Sequence, residues 1–135
     1  MTDRRLFLKT SAVAVSALAL TSASSSSASE GCAVPGVIYS KDSPGRWSQK
    51  VGSHAPVVTV NGDKVQVETK HPMSETHFIV RHTLVLADGT VVGEKTFTPR
   101  DRPVSTYTLP KGYKGEVYAT SFCNRHDFWL TKTAI

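Results

Sequence analysis

The sequence predicts an all-β fold, an immunoglobulin-like antiparallel β-sandwich of about seven strands, and three observations lead to it. Short runs of β-branched and aromatic residues recur along residues 51–135, with turn signals about every 8–12 residues. Asn-Gly and Asp-Gly pairs separate several of these runs, which is a strong signal for β-hairpins. No segment of this region repeats its apolar residues with the period of about 3.6 that an amphipathic helix requires.

The first hairpin is predicted where two valine-rich runs, residues 56–60 and 64–69, flank an Asn-Gly-Asp turn at residues 61–63. A second hairpin turns at residues 87–89, an Ala-Asp-Gly sequence. Further strands are predicted at residues 105–110, 115–123 and 128–133, with Pro- and Gly-containing loops between them.

The strand before the second turn alternates apolar and polar residues. Phe78, Val80, Leu84 and Leu86 share one face by a period of two, and His82 interrupts that face. His82 belongs to no motif, so it is interpreted as a surface or packing histidine.

Residues 1–28 are predicted to be an export signal rather than part of the folded domain. Arg4 and Arg5 precede a short apolar run at residues 12–20, and small residues lead to a cleavage point after Ala28. The run is shorter than the roughly 20 apolar residues of a membrane span. The stretch DRRLFLK resembles the twin-arginine signal, which directs folded proteins to the periplasm. An ordinary secretory signal containing two arginines is the alternative.

Cleavage after Ala28 would leave 107 residues with a formal charge of +3, reduced from +5 for the whole chain. No basic run stands out, so nucleic-acid binding is not expected, and the charge supports only a weak attraction for small anions. Residues 29–50 contain Gly, Ser and Pro and are predicted to form a loosely ordered N-terminal arm. Residues 51–135 are predicted to form the single folded domain.

The candidate metal ligands of the mature chain are five histidines and two cysteines. Four of the histidines and one cysteine lie next to predicted strand ends, which meet at the rims of a sandwich. Four imidazoles and one thiolate could therefore converge at one rim. The seven residues are His54, His71, His77, His82, His126, Cys32 and Cys123.

The motifs HPMSETHFI, which begins at His71, and CNRH, which begins at Cys123, resemble those of the superoxide reductases, the neelaredoxin and desulfoferrodoxin family. The resemblance covers roughly residues 50–131. It implies one non-haem iron with four histidine ligands and one cysteine ligand. On this chain the implied ligands are His54, His71, His77, His126 and Cys123. One departure concerns the two residues before His54, which are Gly52-Ser53 where the family usually has Glu-Lys.

The resemblance implies one-electron reduction of superoxide to hydrogen peroxide, with Cys123 and His126 as catalytic residues and an external electron donor. Imidazole suits iron, and thiolate adds a soft, electron-rich donor. Two cysteines in the whole chain cannot build the additional four-cysteine iron centre of the two-iron members. A homo-oligomer is left open, as are the identity of the donor and the extent of superoxide dismutation.

Several alternatives stay open from the residues themselves. Cys123 and His126 could be ordinary core residues, or Cys123 could pair with Cys32 in an oxidising compartment. Cys32 could also be a lipobox cysteine, although Glu30-Gly31 before it fits poorly. A blue-copper electron carrier is a functional alternative, but the methionine that it usually needs after the Cys-His pair is missing. A metal-free immunoglobulin-like binding module is the other.

Overall fold

The structure, a computed structural model, describes residues 34–135, so the predicted signal and Cys32 lie outside the described residues. Two β-sheets face each other, which confirms the predicted all-β sandwich. The larger sheet has the strand order β1-β8-β7-β4-β5, and the smaller has β2-β3-β6. The strands are β1 Ile38–Tyr39, β2 Val57–Asn61, β3 Lys64–Glu68, β4 Ile79–Leu86, β5 Val91–Thr96, β6 Val104–Thr108, β7 Glu116–Cys123 and β8 Asp127–Ala134.

Two short helical segments precede β2. A 3₁₀ helix spans Gly45–Lys50, and a single α-helical turn, α1, follows directly at Val51–His54. Among residues 34–135 no helix has both the length and the apolar character needed to cross a bilayer.

Both predicted hairpins are present. β2 and β3 pair antiparallel up to Asn61 and Lys64, and Gly62 adopts a φ of 61° in the turn. β4 and β5 pair around a turn in which Gly89 has a φ of 87°. Both values lie in the left-handed region that glycine adopts without a steric cost.

A β-bulge changes which residues of β4 face the core. The pairing of β4 with β7 shifts between Ile79 and Arg81, so the alternation of inward and outward side chains is reset there. Ile79 is fully buried, and the inward face continues with His82, Leu84 and Leu86. Phe78 and Val80, which were predicted to share that face, are half-buried instead.

The core lies between the two sheets and has two parts. The larger cluster contains eight buried side chains, and the fully buried valines and leucine among them each contribute about 1.5–3 kcal/mol by leaving water. A smaller cluster of Ile79, Phe97 and Cys123, with Met73 against it, closes one end of the sandwich. The larger cluster consists of Val65, Val67, Leu84, Leu86, Tyr107, Leu109, Val117 and Ala119.

Residues 34–50 pack on the larger sheet, which differs from the loosely ordered arm predicted for residues 29–50. β1 pairs parallel with β8, so that Ile38 lies beside Phe128 and Tyr39 beside Trp129. Tyr39 is 1% exposed, and its ring centroid is 5.7 Å from that of Trp129. Burial of two large aromatic side chains outweighs the flexible composition of this segment.

Candidate metal centre

Five potential metal ligands converge at the end of the sandwich next to the smaller core cluster. One donor atom from each residue can be chosen so that all five atoms lie within 4.8 Å of one another. The structure thus brings together every residue of the predicted ligand set. These are His54, His71, His77, Cys123 and His126.

The five residues lie at or next to the ends of elements; the sequence predicted strand ends for them and did not predict the helical turn that carries His54. His54 is the last residue of α1, and Cys123 is the last residue of β7. His71 lies after β3, where its backbone N–H donates to the Thr69 carbonyl at 2.7 Å. His77 lies before β4, and His126 lies in the turn between β7 and β8.

Asn124 ties the segment that carries His77 to the turn that carries His126. Its side-chain oxygen accepts from the backbone N–H of Phe78 at 3.0 Å, and its amide group donates to the Thr76 carbonyl at 3.2 Å. Its own backbone N–H donates to the Phe78 carbonyl at 3.2 Å. The two side-chain hydrogen bonds, one accepted and one donated by the same amide, explain physically why an asparagine follows Cys123.

The four imidazoles point one nitrogen each towards a common centre. His71 Nε2 is 3.0 Å from His77 Nε2, His77 Nε2 is 3.0 Å from His126 Nδ1, and His126 Nδ1 is 2.9 Å from His54 Nε2. Three histidines thus present Nε2, and His126 presents Nδ1. The three given edges of this nitrogen ring have the length expected for neighbouring imidazoles that bind one metal ion at a typical distance of about 2.1 Å.

The sulfur of Cys123 contacts two opposite corners of this nitrogen ring. Cys123 Sγ lies 3.6 Å from His126 Nδ1 and 4.0 Å from His71 Nε2, which places it on one side of the ring. The side chain is fully buried in the smaller core cluster, and Cys123 forms no disulfide with any described residue. Burial raises the pKa of the thiol above its usual value.

The imidazoles are held neutral at pH 7. Burial, followed by repulsion from His71 and His126, lowers the pKa of His54 to about 3. Burial, followed by repulsion from His77 and His126, lowers the pKa of His71 to about 4. Burial also lowers the pKa values of His77 and His126. Neutral imidazole is the form that binds a metal, so the site is prepared for one.

This donor set fits a transition metal. Four neutral imidazoles with nitrogens directed at one point, and one thiol beside them, are ligands that iron accepts. Oxygen ligands, which calcium and magnesium require, are not among the clustered donors of the described residues.

The site is half-open to solvent and carries a positive field. His54, His71 and Cys123 are buried, whereas His77 and His126 are only half-buried. The charges of Lys50 and Arg125 contribute to lowering the pKa values of His77 and His126, so both cations are close enough to act on an anion at the exposed side.

Trp47 and Asp127 cover the outer side of His126. The Trp47 and His126 rings meet in a T-shaped arrangement at a centroid distance of 4.6 Å. Asp127 Oδ2 accepts from Trp47 Nε1 and from the Arg46 guanidinium, both at 3.0 Å. Asp127 does this from a left-handed backbone conformation with a φ of 63°. The buried Trp129 also holds this residue, because its Nε1 donates to the His126 carbonyl at 2.9 Å.

His82 lies outside the ligand cluster but is not a surface residue. It is fully buried, with Thr69 Oγ1 at 2.8 Å from Nε2 and Ser105 Oγ at 2.9 Å from Nδ1. Thr69 Oγ1 also lies 2.8 Å from Ser121 Oγ. This polar network, formed by His82, Thr69, Ser105 and Ser121, connects the two sheets in the core, so the packing interpretation of His82 is the correct one.

Sequence reasoning missed Trp47, Asp127 and Asn124 as neighbours of the site. The Asn124 contacts depend on a bulged strand and a tight turn, and only its position inside the CNRH motif pointed to it. The Trp47 contact crosses 79 residues of sequence, because Trp47 belongs to the segment predicted to be loose. No local pattern marks such a contact.

Known proteins with similar sequence and structure fit this geometry. A family model described as desulfoferrodoxin matches residues 46–132. The superoxide reductase of Pyrococcus abyssi (strain GE5 / Orsay) is 32% identical over 102 residues, which cover 63% of this chain and 87% of that relative. The structure of superoxide reductase (neelaredoxin) from Ignicoccus hospitalis matches with a TM-score of 0.61 and 28% identity, over 73% of this chain and 93% of that chain. The superoxide reductase from Treponema pallidum matches with a TM-score of 0.53 and 30% identity, over 62% of this chain and 69% of that chain.

Proposed function

Because this chain belongs to the desulfoferrodoxin family, we propose that it is a superoxide reductase with a single iron centre. The enzyme adds one electron and two protons to superoxide and releases hydrogen peroxide. The observation that carries this function is the convergence of four neutral imidazoles and one buried thiol on a point that suits a metal. The residues that would hold the iron are His54, His71, His77, His126 and Cys123.

Iron at this position would supply the electron by cycling between its ferrous and ferric states, with sulfur as an electron-rich ligand. The residues of this chain prepare that chemistry. Cys123 loses its proton when a metal binds, because thiolate is the ligand form and burial otherwise favours the thiol. The core residues Ile79 and Phe97 keep water away from the sulfur.

The exposed side of the nitrogen ring is the entrance for substrate. Lys50 and Arg125 give this side a positive potential, which attracts the superoxide anion and raises its local concentration. His77 and His126 are half-buried, so water can deliver the two protons that peroxide formation needs. Among the described residues, the ligand cluster at this entrance contains no aspartate or glutamate.

The deciding experiment measures metal content and product yield on protein purified without oxygen. Iron content near one per chain, with copper absent, separates this function from a blue-copper carrier and from a metal-free binding module. Rapid mixing of the reduced protein with superoxide should then give one peroxide per superoxide consumed. Dismutation gives one peroxide per two superoxides, so the lower yield would contradict reduction as the main reaction.

An external electron donor must re-reduce the site after each turnover, since one iron stores only one electron. We propose a small redox protein or a small-molecule reductant for this role. Steady-state turnover should therefore stop after one equivalent of superoxide unless a reductant is added. The state of association of the chain does not enter this stoichiometry.

The cellular location proposed for this enzyme is the periplasm, reached in folded form with the metal bound. The support is the twin-arginine-like sequence at Arg4 and Arg5, which lies outside the described residues. Replacement of both arginines by lysine should leave the protein in the cytoplasm. Normal export of that variant through the general secretory route would contradict the proposal.

A further inference from the structure

Ser53 lies directly before His54, and its side chain contacts the imidazole on the side away from the cluster. Ser53 Oγ is 2.8 Å from His54 Nδ1, whereas His54 Nε2 faces His126 Nδ1 at 2.9 Å. A neutral imidazole carries one proton on one of its two nitrogens. The nitrogen that carries it decides whether His54 can direct a lone pair at the centre.

A second contact of the same hydroxyl determines where the protons lie. Ser53 Oγ is 3.2 Å from the Lys50 carbonyl oxygen. A carbonyl can only accept, so the hydroxyl donates its single proton there and turns a lone pair towards His54 Nδ1. Nδ1–H then donates to Ser53 Oγ, and Nε2 keeps its lone pair for the centre.

The short helix fixes this arrangement. Lys50 immediately precedes α1, and the backbone N–H of Ala55 donates to the Val51 carbonyl at 3.0 Å, which closes the turn. In a helical turn a serine side chain reaches the carbonyl three residues earlier, as Ser53 does here. The hydroxyl is therefore held by the backbone and not by a mobile side chain.

His71, another histidine of the ligand set, has no side-chain partner of this kind on its Nδ1. Its Nδ1 is buried and has no hydrogen-bond partner among the residues that the structure describes. His54 is thus set apart from His71 by a side-chain partner on its outer nitrogen.

We propose that Ser53 is a positioning residue for the iron ligand His54, and that its hydroxyl holds the tautomer whose Nε2 lone pair faces the metal. Partners of this kind orient a ligating histidine and increase its basicity. The proposal rests on the proposed function, because it requires a metal at the centre.

The test compares iron affinity in the mature protein and in three variants, Ser53→Ala, Ser53→Thr and Ser74→Ala. Ferrous iron is titrated against a competing chelator without oxygen. Ser74 is a matched control, because its hydroxyl also contacts a ligand residue but donates to the His77 backbone carbonyl at 3.1 Å. Circular dichroism of each variant verifies the fold.

We expect Ser53→Ala to bind iron about 10-fold more weakly, with Ser53→Thr and Ser74→Ala within about twofold of the parent. Threonine keeps the hydroxyl, so its rescue separates hydrogen bonding from the general integrity of the helix. Unchanged affinity in Ser53→Ala, or equal loss in the threonine variant, would overturn the role of Ser53. A parent protein that binds no iron would overturn the proposed function itself, and the role of Ser53 with it.

Discussion

Replacement of His82 by alanine should destabilise the protein without removing a metal ligand. His82 is fully buried, and both ring nitrogens contact hydroxyl groups, those of Thr69 and Ser105. Loss of a buried ring of this size costs about 2–3 kcal/mol through the cavity that remains. Each hydroxyl that loses its partner costs about 1 kcal/mol more. We therefore expect the free energy of unfolding to fall by about 4–5 kcal/mol.

The same variant should change how stability depends on pH. Burial, followed by the nearby charge of Lys95, lowers the pKa of His82 from its usual 6.5 to about 4. Below pH 6.5 the unfolded chain takes up a proton that the folded chain refuses, so the stability of the parent falls as the pH drops towards 4. A shift of this size corresponds to about 3 kcal/mol. The variant has no His82 to titrate, so its free energy of unfolding does not fall for this reason. The difference in free energy of unfolding between parent and variant should therefore narrow from pH 6.5 towards pH 4.

Urea unfolding of both proteins at pH 7.5, 6, 5 and about 4.5, followed by tryptophan fluorescence, measures both effects. The folded fraction of His82→Ala should still bind iron, since no ligand is changed. A loss below about 1 kcal/mol at pH 7.5 would refute the cavity and hydrogen-bond argument. A gap that stays constant down to the lowest pH would refute the assigned titration of His82.

Three further changes test the site. Cys123→Ser should abolish the sulfur-to-iron charge-transfer band and most superoxide reduction, because oxygen is a poorer electron donor than sulfur, while Cys32→Ser should change neither. Lys50→Ala should slow superoxide consumption about threefold to tenfold at low salt and flatten its salt dependence, whereas equal slowing at high salt would argue against steering. Asp127→Gly, which leaves no side-chain acceptor for Trp47 Nε1, should increase acrylamide quenching of Trp47 while costing less than about 1 kcal/mol of stability, since the carboxylate that is lost is partly exposed.

Much of the fold was predictable because its signals are local. The turn at residues 61–63 and the alternation after Arg81 follow from short-range backbone preferences, and the structure has both. The bulge near Val80 was not predictable, because it depends on how β4 pairs with β7, a strand that is distant in the sequence. It places Ile79, rather than Phe78, in the core beside the sulfur.

The ligand set was predicted from motifs, and the structure brings all five residues together. Their surroundings were not predictable to the same extent. Tyr39 and Trp47 lie in a segment whose composition suggested a loose arm, and long-range contacts order it: the pairing of β1 with β8, aromatic packing and the hydrogen bonds to Asp127. His82 was predicted as a surface or packing residue. The choice between the two required knowledge of its partners, Thr69, which directly follows β3, and Ser105, which lies on β6.

The left-handed backbone conformation of Asp127 sets backbone strain against the contacts that its side chain makes beside the site. A residue with a side chain at a φ of 63° carries a steric cost that glycine would not, although aspartate tolerates this region better than most. Glycine at this position would remove that steric cost, but it would also remove the acceptor of two hydrogen bonds. Glycine would release Trp47 and Arg46 together and uncover the outer edge of His126. The chain keeps a residue with a side chain here, so an unstrained backbone and a covered His126 are opposing demands on one position.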